Sequence, residues 1–366
     1  MAAGYSLVCR GYFVNATGAE NNTPSADAPL KTAVLSRPGD APPSGLFRSS
    51  PLGQALSAYI PAIGLIRLIN FARVLLLAWW MTRFQFGLLN IILLVVNVLT
   101  PLCSLGLFEA ITRYVPQYET AGSLLAFVRR SFVLLLTIST VGIILLVIFA
   151  PQLGGFFYAH ELAREEGGVL AADAPHFARL TALVTLLLIM YFFLASVMKG
   201  LRMFVALAAI ETVHSLLFLA GSLVAWFTDH LSAFTLAAIY GGALALPILW
   251  FGVRLNGVLV RWTAQHGAGE MPALYGKLLR FSIWTMLAGF TWQILIYYPA
   301  WYLNKTNGPE AVAVFSAVRQ IGQLIMIGAV AGSGSARSRS TGIPGPGLHT
   351  KPRPNHRGSA GPRKAA

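Results

Sequence analysis

Ser104-Leu105-Gly106-Leu107-Phe108-Glu109-Ala110-Ile111-Thr112-Arg113-Tyr114-Val115-Pro116-Gln117-Tyr118-Glu119-Thr120-Ala121-Gly122 is the stretch on which the reading of this chain turns. A long apolar run from Phe86 to Leu107 ends in it, and another begins near Ala126. Between the two lie a small-residue break, an amphipathic turn bearing Arg113, a proline and a polar Glu-Thr-Ala-Gly connector. Such a succession reads as a helix leaving a bilayer, with Arg113 on the cytoplasmic side as a topogenic and headgroup-binding residue.

Composition agrees. Hydrophobic residues make up 56% of the 366 and charged residues 11%, against about 25% charged in an average soluble domain. Mean hydropathy is +0.65. A chain with so little polar surface needs lipid as its solvent. The net charge of +14 sits in the tails and in alternate connectors, so it points to membrane topology and away from nucleic acid. Cys9 and Cys103 form neither a disulfide framework nor a metal-ligand pattern.

Working outward, apolar segments long enough to cross the hydrocarbon, at about 20 residues each, fall at 57–80, 86–107, 126–150, 177–198, 203–227, 232–252, 279–303 and 309–331. The backbone must satisfy its own hydrogen bonds in lipid, so these are helices. The expected fold is an all-α, polytopic integral membrane protein of about eight transmembrane helices. Only Thr228-Asp229-His230 separates the fifth span from the sixth. Connectors on one side carry Arg113, Arg129, Arg130, Lys199, Arg202, Arg254, Arg261, Lys277 and Arg280; those on the other carry Arg83, Arg164 and Lys305. Nine cations against three place both termini in the cytoplasm by the positive-inside rule. Trp79, Trp80, Trp226, Trp250, Trp262, Trp301 and Tyr302 cluster at span ends, as an aromatic belt requires.

Residues 1–55, rich in Ala, Ser, Pro, Gly and Asn, read as a disordered tail, and 332–366 as a basic low-complexity tail. The abrupt change of character after Val330 favours a frame-shifted end over a lipid-binding tail. Residues 56–252 form a first helical lobe of six spans, 253–278 a cytoplasmic linker, and 279–331 the start of a second lobe.

Four places carry a family likeness. Arg73-Val74-Leu75-Leu76-Leu77 leads through Thr82-Arg83-Phe84 into Phe86-Gly87-Leu88, like the end of a first helix and its tight turn. Leu105-Gly106-Leu107 runs to Arg113-Tyr114-Val115-Pro116, and Lys199-Gly200-Leu201-Arg202 is placed as the opening of a helix. Leu303-Asn304-Lys305-Thr306-Asn307-Gly308 reads as a short loop before a helix starting near Glu310, in which Ala313-Val314-Phe315 departs from the usual pattern. In these respects the chain resembles the polysaccharide (O-antigen type) flippases of the multidrug/oligosaccharidyl-lipid/polysaccharide exporter superfamily. The resemblance implies a two-lobe exporter of more helices than this chain supplies, alternating access, no cofactor and no enzymatic step. It further implies a polyprenyl-pyrophosphate-linked oligosaccharide as cargo, an inner (cytoplasmic) membrane location, and glycosyltransferases or a polymerase of the same pathway as partners.

Ionisable and amide residues inside spans are costly and mark candidate sites. Arg67, Asn70 and Arg73 share one face of the first helix, where two guanidinium groups can bind a pyrophosphate bidentately. The alternative for Arg67 is snorkelling to the headgroups. Asn90, Asn97 and Ser104 repeat at heptad spacing on the second helix, as a lumen face or as interhelical glue. Glu211, His214 and Ser215 share a face of the fifth, suited to a coupling proton or sodium, to sugar hydroxyls, or to simple hydration. Ser316, Arg319, Gln320 and Gln323 share a face of the eighth, with Arg319 ten residues into the span. Arg67, Asn70, Arg73, Asn97, Glu211, His214, Arg319 and Gln323 are therefore the expected substrate contacts.

His160, Glu161, Glu165, Glu166, Asp173 and His176 crowd the longest external connector. They would hold general acids and bases in a polysaccharide polymerase or ligase, but read more simply as a solvated surface. A drug/cation antiporter of the same superfamily would call for acidic spans, where this chain carries arginines. A non-functional truncated fragment is the remaining alternative.

Overall fold

In a computed structural model of the chain, the described residues are 52–152, 167–266, 275–320 and 322. Residues 1–51 and 332–366, the connector residues His160, Glu161, Glu165 and Glu166, and residues 321 and 323–331 of the eighth predicted span lie outside them. Helices α1 (Leu52–Trp80), α2 (Arg83–Cys103), α3 (Leu107–Thr120), α4 (Leu124–Ile148), α5 (Gly167–Gly200), α6 (Phe204–Phe227), α7 (Ala233–His266) and α8 (Tyr275–Asn307) follow in order. Residues 309–320 are helical as well. Among the described residues, seven of these helices, all except the short α3, are long and apolar enough to cross a membrane. The protein is an all-α, polytopic membrane protein.

The opening stretch is more structured than a turn. Leu105 (φ 47°) and Gly106 (φ 66°) break the chain in the left-handed region, and α3 then runs to Thr120 as a separate amphipathic helix. It buries Leu107, Ala110, Ile111, Val115 and Tyr118 and leaves Glu109, Arg113 and Gln117 exposed. This periodicity packs the helix sideways against the bundle.

Three other helix ends share one device. Gly122 (φ 75°), Arg202 (φ 59°) and Asp229 (φ 55°) take left-handed conformations after α3, α5 and α6. In each case the next amide reaches back five residues, Ser123 to Tyr118, Met203 to Met198 and His230 to Ala225. The left-handed residue itself bonds three residues back, which completes a Schellman motif and satisfies the last carbonyls. Thr228-Asp229-His230 is thus a true break, and the fifth and sixth spans are separate helices. Lys199-Gly200-Leu201-Arg202, expected to open a helix, instead closes α5; α6 begins at Phe204. Asp173 and His176, expected in a connector, lie on α5.

Helices α2 and α5 form the centre of the bundle, with Ile92, Ile189, Val197 and Met198 fully shielded. Helices α1, α4 and α8 lie at the periphery, where Val133, Ile144, Leu145, Trp284 and Leu295 stay exposed. An exposed apolar side chain on a membrane helix is in its preferred solvent, so these faces need no further cover.

Helix α8 packs on α2 and α3. At one end of this seam a Cβ on Gly106 would lie 2.5 Å from the Met286 amide nitrogen and 2.7 Å from the Ser282 carbonyl oxygen. There the Thr285 hydroxyl also donates to the Gly106 carbonyl at 3.1 Å. At the other end a Cβ on Gly87 would overlap the Pro309 carbonyl. Only glycine lets the backbones approach this closely. Between α8 and the next helix Gly308 (φ 81°) is the sole non-helical residue, so the expected loop at 303–308 is largely helix.

Candidate functional site

The polar residues of α1 face α6, against which that helix packs. Arg73 places its guanidinium carbon 4.3 Å from the centroid of Phe218 on α6. Its Nε and Nη1 are buried and have no hydrogen-bond partner among the described residues. A buried, unpaired cation costs several kcal/mol, and a cation–π contact returns only about 0.5–2 kcal/mol. Arg73 as a whole is part-buried, so the full penalty does not apply, but its two buried nitrogens remain open to an anion.

Around this pair the rings continue. Phe218 meets Tyr240 of α7 at 5.2 Å between centroids, Tyr240 meets His214 at 5.3 Å, and His214 meets Tyr191 of α5 at 5.6 Å. The Nε2 atom of His214 is buried without a partner among the described residues. Tyr240 lies within electrostatic reach of Arg73 and of Tyr297 on α8. Arg319, on the helix at 309–320, sets its guanidinium 4.6 Å from the Tyr297 ring centroid. Two arginines far apart in sequence therefore each lie against an aromatic ring, Arg73 over Phe218 and Arg319 over Tyr297.

At about 1.5 Å per residue, Arg73 lies about 10 Å from the Trp80 end of α1, and Tyr240 about 10 Å from the adjacent start of α7. Phe218, Tyr297 and Arg319 are about 14–15 Å from the corresponding ends of their own helices. Against a hydrocarbon thickness of about 30 Å, these residues lie about two to three turns in from those helix ends.

The other expected residues separate into two groups. Arg67 is half-buried nearer the other end of α1, where it interacts electrostatically with Glu211 and Tyr59. Glu211 also feels Lys199. Asn70 is half-buried between the two arginines. Asn97, by contrast, donates from Nδ2 to the Leu93 carbonyl of its own helix at 2.6 Å, and Asn90 repeats the bond to Phe86 at 2.8 Å. Those amides are engaged locally. Arg113 stacks on Phe281 at 4.7 Å, which ties α3 to α8. Gln323 lies outside the described residues.

Sequence reading missed Phe218, Tyr240, Tyr297 and Tyr191, because aromatic residues in apolar spans carry no periodic mark. The usable signal was local: Phe218 lies four residues beyond His214, on the face already singled out.

The comparisons with known proteins agree with this architecture. The family described as polysaccharide biosynthesis protein matches residues 52–336, a match that starts at the first residue of α1. No curated protein and no solved structure gives a significant match. With helices α1 to α8 all inside the matched range, the chain belongs to the polysaccharide biosynthesis protein family.

Proposed function

We propose that this protein moves a lipid-linked oligosaccharide from the inner to the outer leaflet of the cytoplasmic membrane during surface polysaccharide synthesis. The observation that carries the reading is the Arg73 guanidinium, held by an aromatic ring in place of a carboxylate, with two buried N–H groups left open. A polyprenyl pyrophosphate supplies the missing charge, and guanidinium groups match phosphate oxygens in pairs. Arg319, over Tyr297, offers the second cation from a different part of the chain. Family membership supports a polysaccharide intermediate as the cargo.

In this reading the protein is a transporter and performs no covalent step. The anion is neutralised within the bilayer, where a bare pyrophosphate would otherwise be prohibitive. Alternating access then follows from separation of the α2–α8 seam at one end at a time. Both termini lie in the cytoplasm, and the glycosyltransferases and polymerase of the pathway act before and after the transfer.

The test is export of surface polysaccharide by cells whose own transporter has been replaced with this chain. Arg73→Gln and Arg319→Gln should each reduce export at least tenfold while the protein still reaches the membrane. Undiminished export with both changes combined would sink the site.

A further inference from the structure

Helix α6 presents Glu211, His214 and Phe218 along one face, three and four residues apart. Phe218 holds Arg73. His214 is one turn nearer the start of α6, about 6 Å along the axis, and within electrostatic reach of Arg73. Its imidazole is fixed between the rings of Tyr191 at 5.6 Å and Tyr240 at 5.3 Å. These rings come from α5 and α7, so three helices determine where the imidazole points. Its Nε2 is buried and lacks a partner among the described residues.

A buried ring nitrogen without a partner, about one helical turn from the Arg73 contact, adds a second open polar group to a cluster whose other polar groups are the hydroxyls of Tyr191 and Tyr240. Its chemistry differs from that of Arg73. Guanidinium only donates, whereas neutral imidazole has one donor and one acceptor nitrogen. A hydroxyl, itself both donor and acceptor, is the matching group, and flanking aromatic faces suit the C–H faces of a sugar ring. We propose that His214 is a specificity-determining residue that hydrogen-bonds a hydroxyl of the sugar attached directly to the pyrophosphate. The inference rests on Arg73 as the phosphate contact.

The experiment compares two probes on the purified full chain in detergent: polyprenyl pyrophosphate, and the same lipid bearing a single hexose. The quantity read is the ratio of the two affinities. The unsubstituted protein should prefer the glycosylated lipid about tenfold, the scale of one well-made buried hydrogen bond. His214→Phe should bring the ratio to about one. His214→Asn, whose amide also donates and accepts, should keep a ratio of about three. Arg73→Gln should weaken both probes and leave the ratio in place. A tenfold ratio persisting in His214→Phe and His214→Asn overturns the assignment, as does an unsubstituted protein that binds both probes equally. Failure of the unsubstituted protein to bind either lipid overturns the reading of Arg73 itself, a different result from the other two.

Discussion

The Arg73 guanidinium is stacked on Phe218 at 4.3 Å, and its Nε and Nη1 have no partner among the described residues. Arg113 on Phe281 shows that a ring contact can tie helices together; Arg73 differs in that two of its guanidinium nitrogens are buried without such a partner. Holding it by a ring keeps the cation in place and leaves its hydrogen-bonding edge open. Under the proposed function, Phe218 is a positioning residue. Phe218→Leu preserves apolar bulk and removes the ring, so the cation–π term of about 0.5–2 kcal/mol is lost. Binding of polyprenyl pyrophosphate should weaken about threefold to thirtyfold, while Phe218→Tyr should remain near the unsubstituted value. Equal affinity for all three proteins would show that the ring does not position Arg73.

Gly106 separates α2 from α3 and admits the α8 backbone. Gly106→Ala meets a left-handed backbone, which costs about 1–2 kcal/mol for a residue with a Cβ, and places that Cβ 2.5 Å from the Met286 amide nitrogen. The variant should lose several degrees of thermal stability in detergent. Gly64 is the internal control: it lies within α1 with nothing within 4 Å of its ideal Cβ. Gly64→Ala should hold or gain stability, by up to about 1 kcal/mol.

Much of the fold was legible because lipid imposes one requirement on every span. The apolar runs located α1, α2 and α4 to α8, and the polar break at Thr228-Asp229-His230 was real. The ends were harder to read, since a helix does not stop where its hydrophobicity does. Helix α7 continues through Arg254 and Arg261 to His266, past the apolar limit at 252, because its later turns still bury Leu255 and Leu259. Lys199-Gly200-Leu201-Arg202 was assigned to the wrong side of its turn for a related reason. The Schellman bond from Met203 to Met198 is a backbone feature, and a left-handed arginine leaves no mark in sequence. In the site, the costly charges at Arg73 and Arg319 stood out. Their aromatic partners did not, since Phe218 and Tyr297 look like any other residue of an apolar helix.

Asn97 marks the limit of reasoning from polar stripes. Its amide donates one N–H to Leu93 at 2.6 Å within α2, which holds the side chain along its own helix and leaves the second N–H and the carbonyl oxygen outside that bond. Asn97→Leu should retain at least half of the polysaccharide export of the unsubstituted chain, in contrast to Arg73→Gln. An export loss as large as that of Arg73→Gln would return Asn97 to the transport path.

Asp229 occupies the left-handed position that ends α6, with φ 55°. Its side chain is exposed, so the residue can be varied without disturbing the core. Asp tolerates this conformation better than most residues, yet glycine adopts it without a Cβ penalty. Asp229→Gly should therefore be neutral or stabilising, by up to about 1 kcal/mol. Asp229→Val, β-branched and poorly suited to positive φ, should destabilise by about 1–3 kcal/mol. Thermal unfolding of the two variants in the same detergent decides the matter. If Asp229→Val were as stable as Asp229→Gly, the left-handed turn between α6 and α7 would not be the one that the chain adopts.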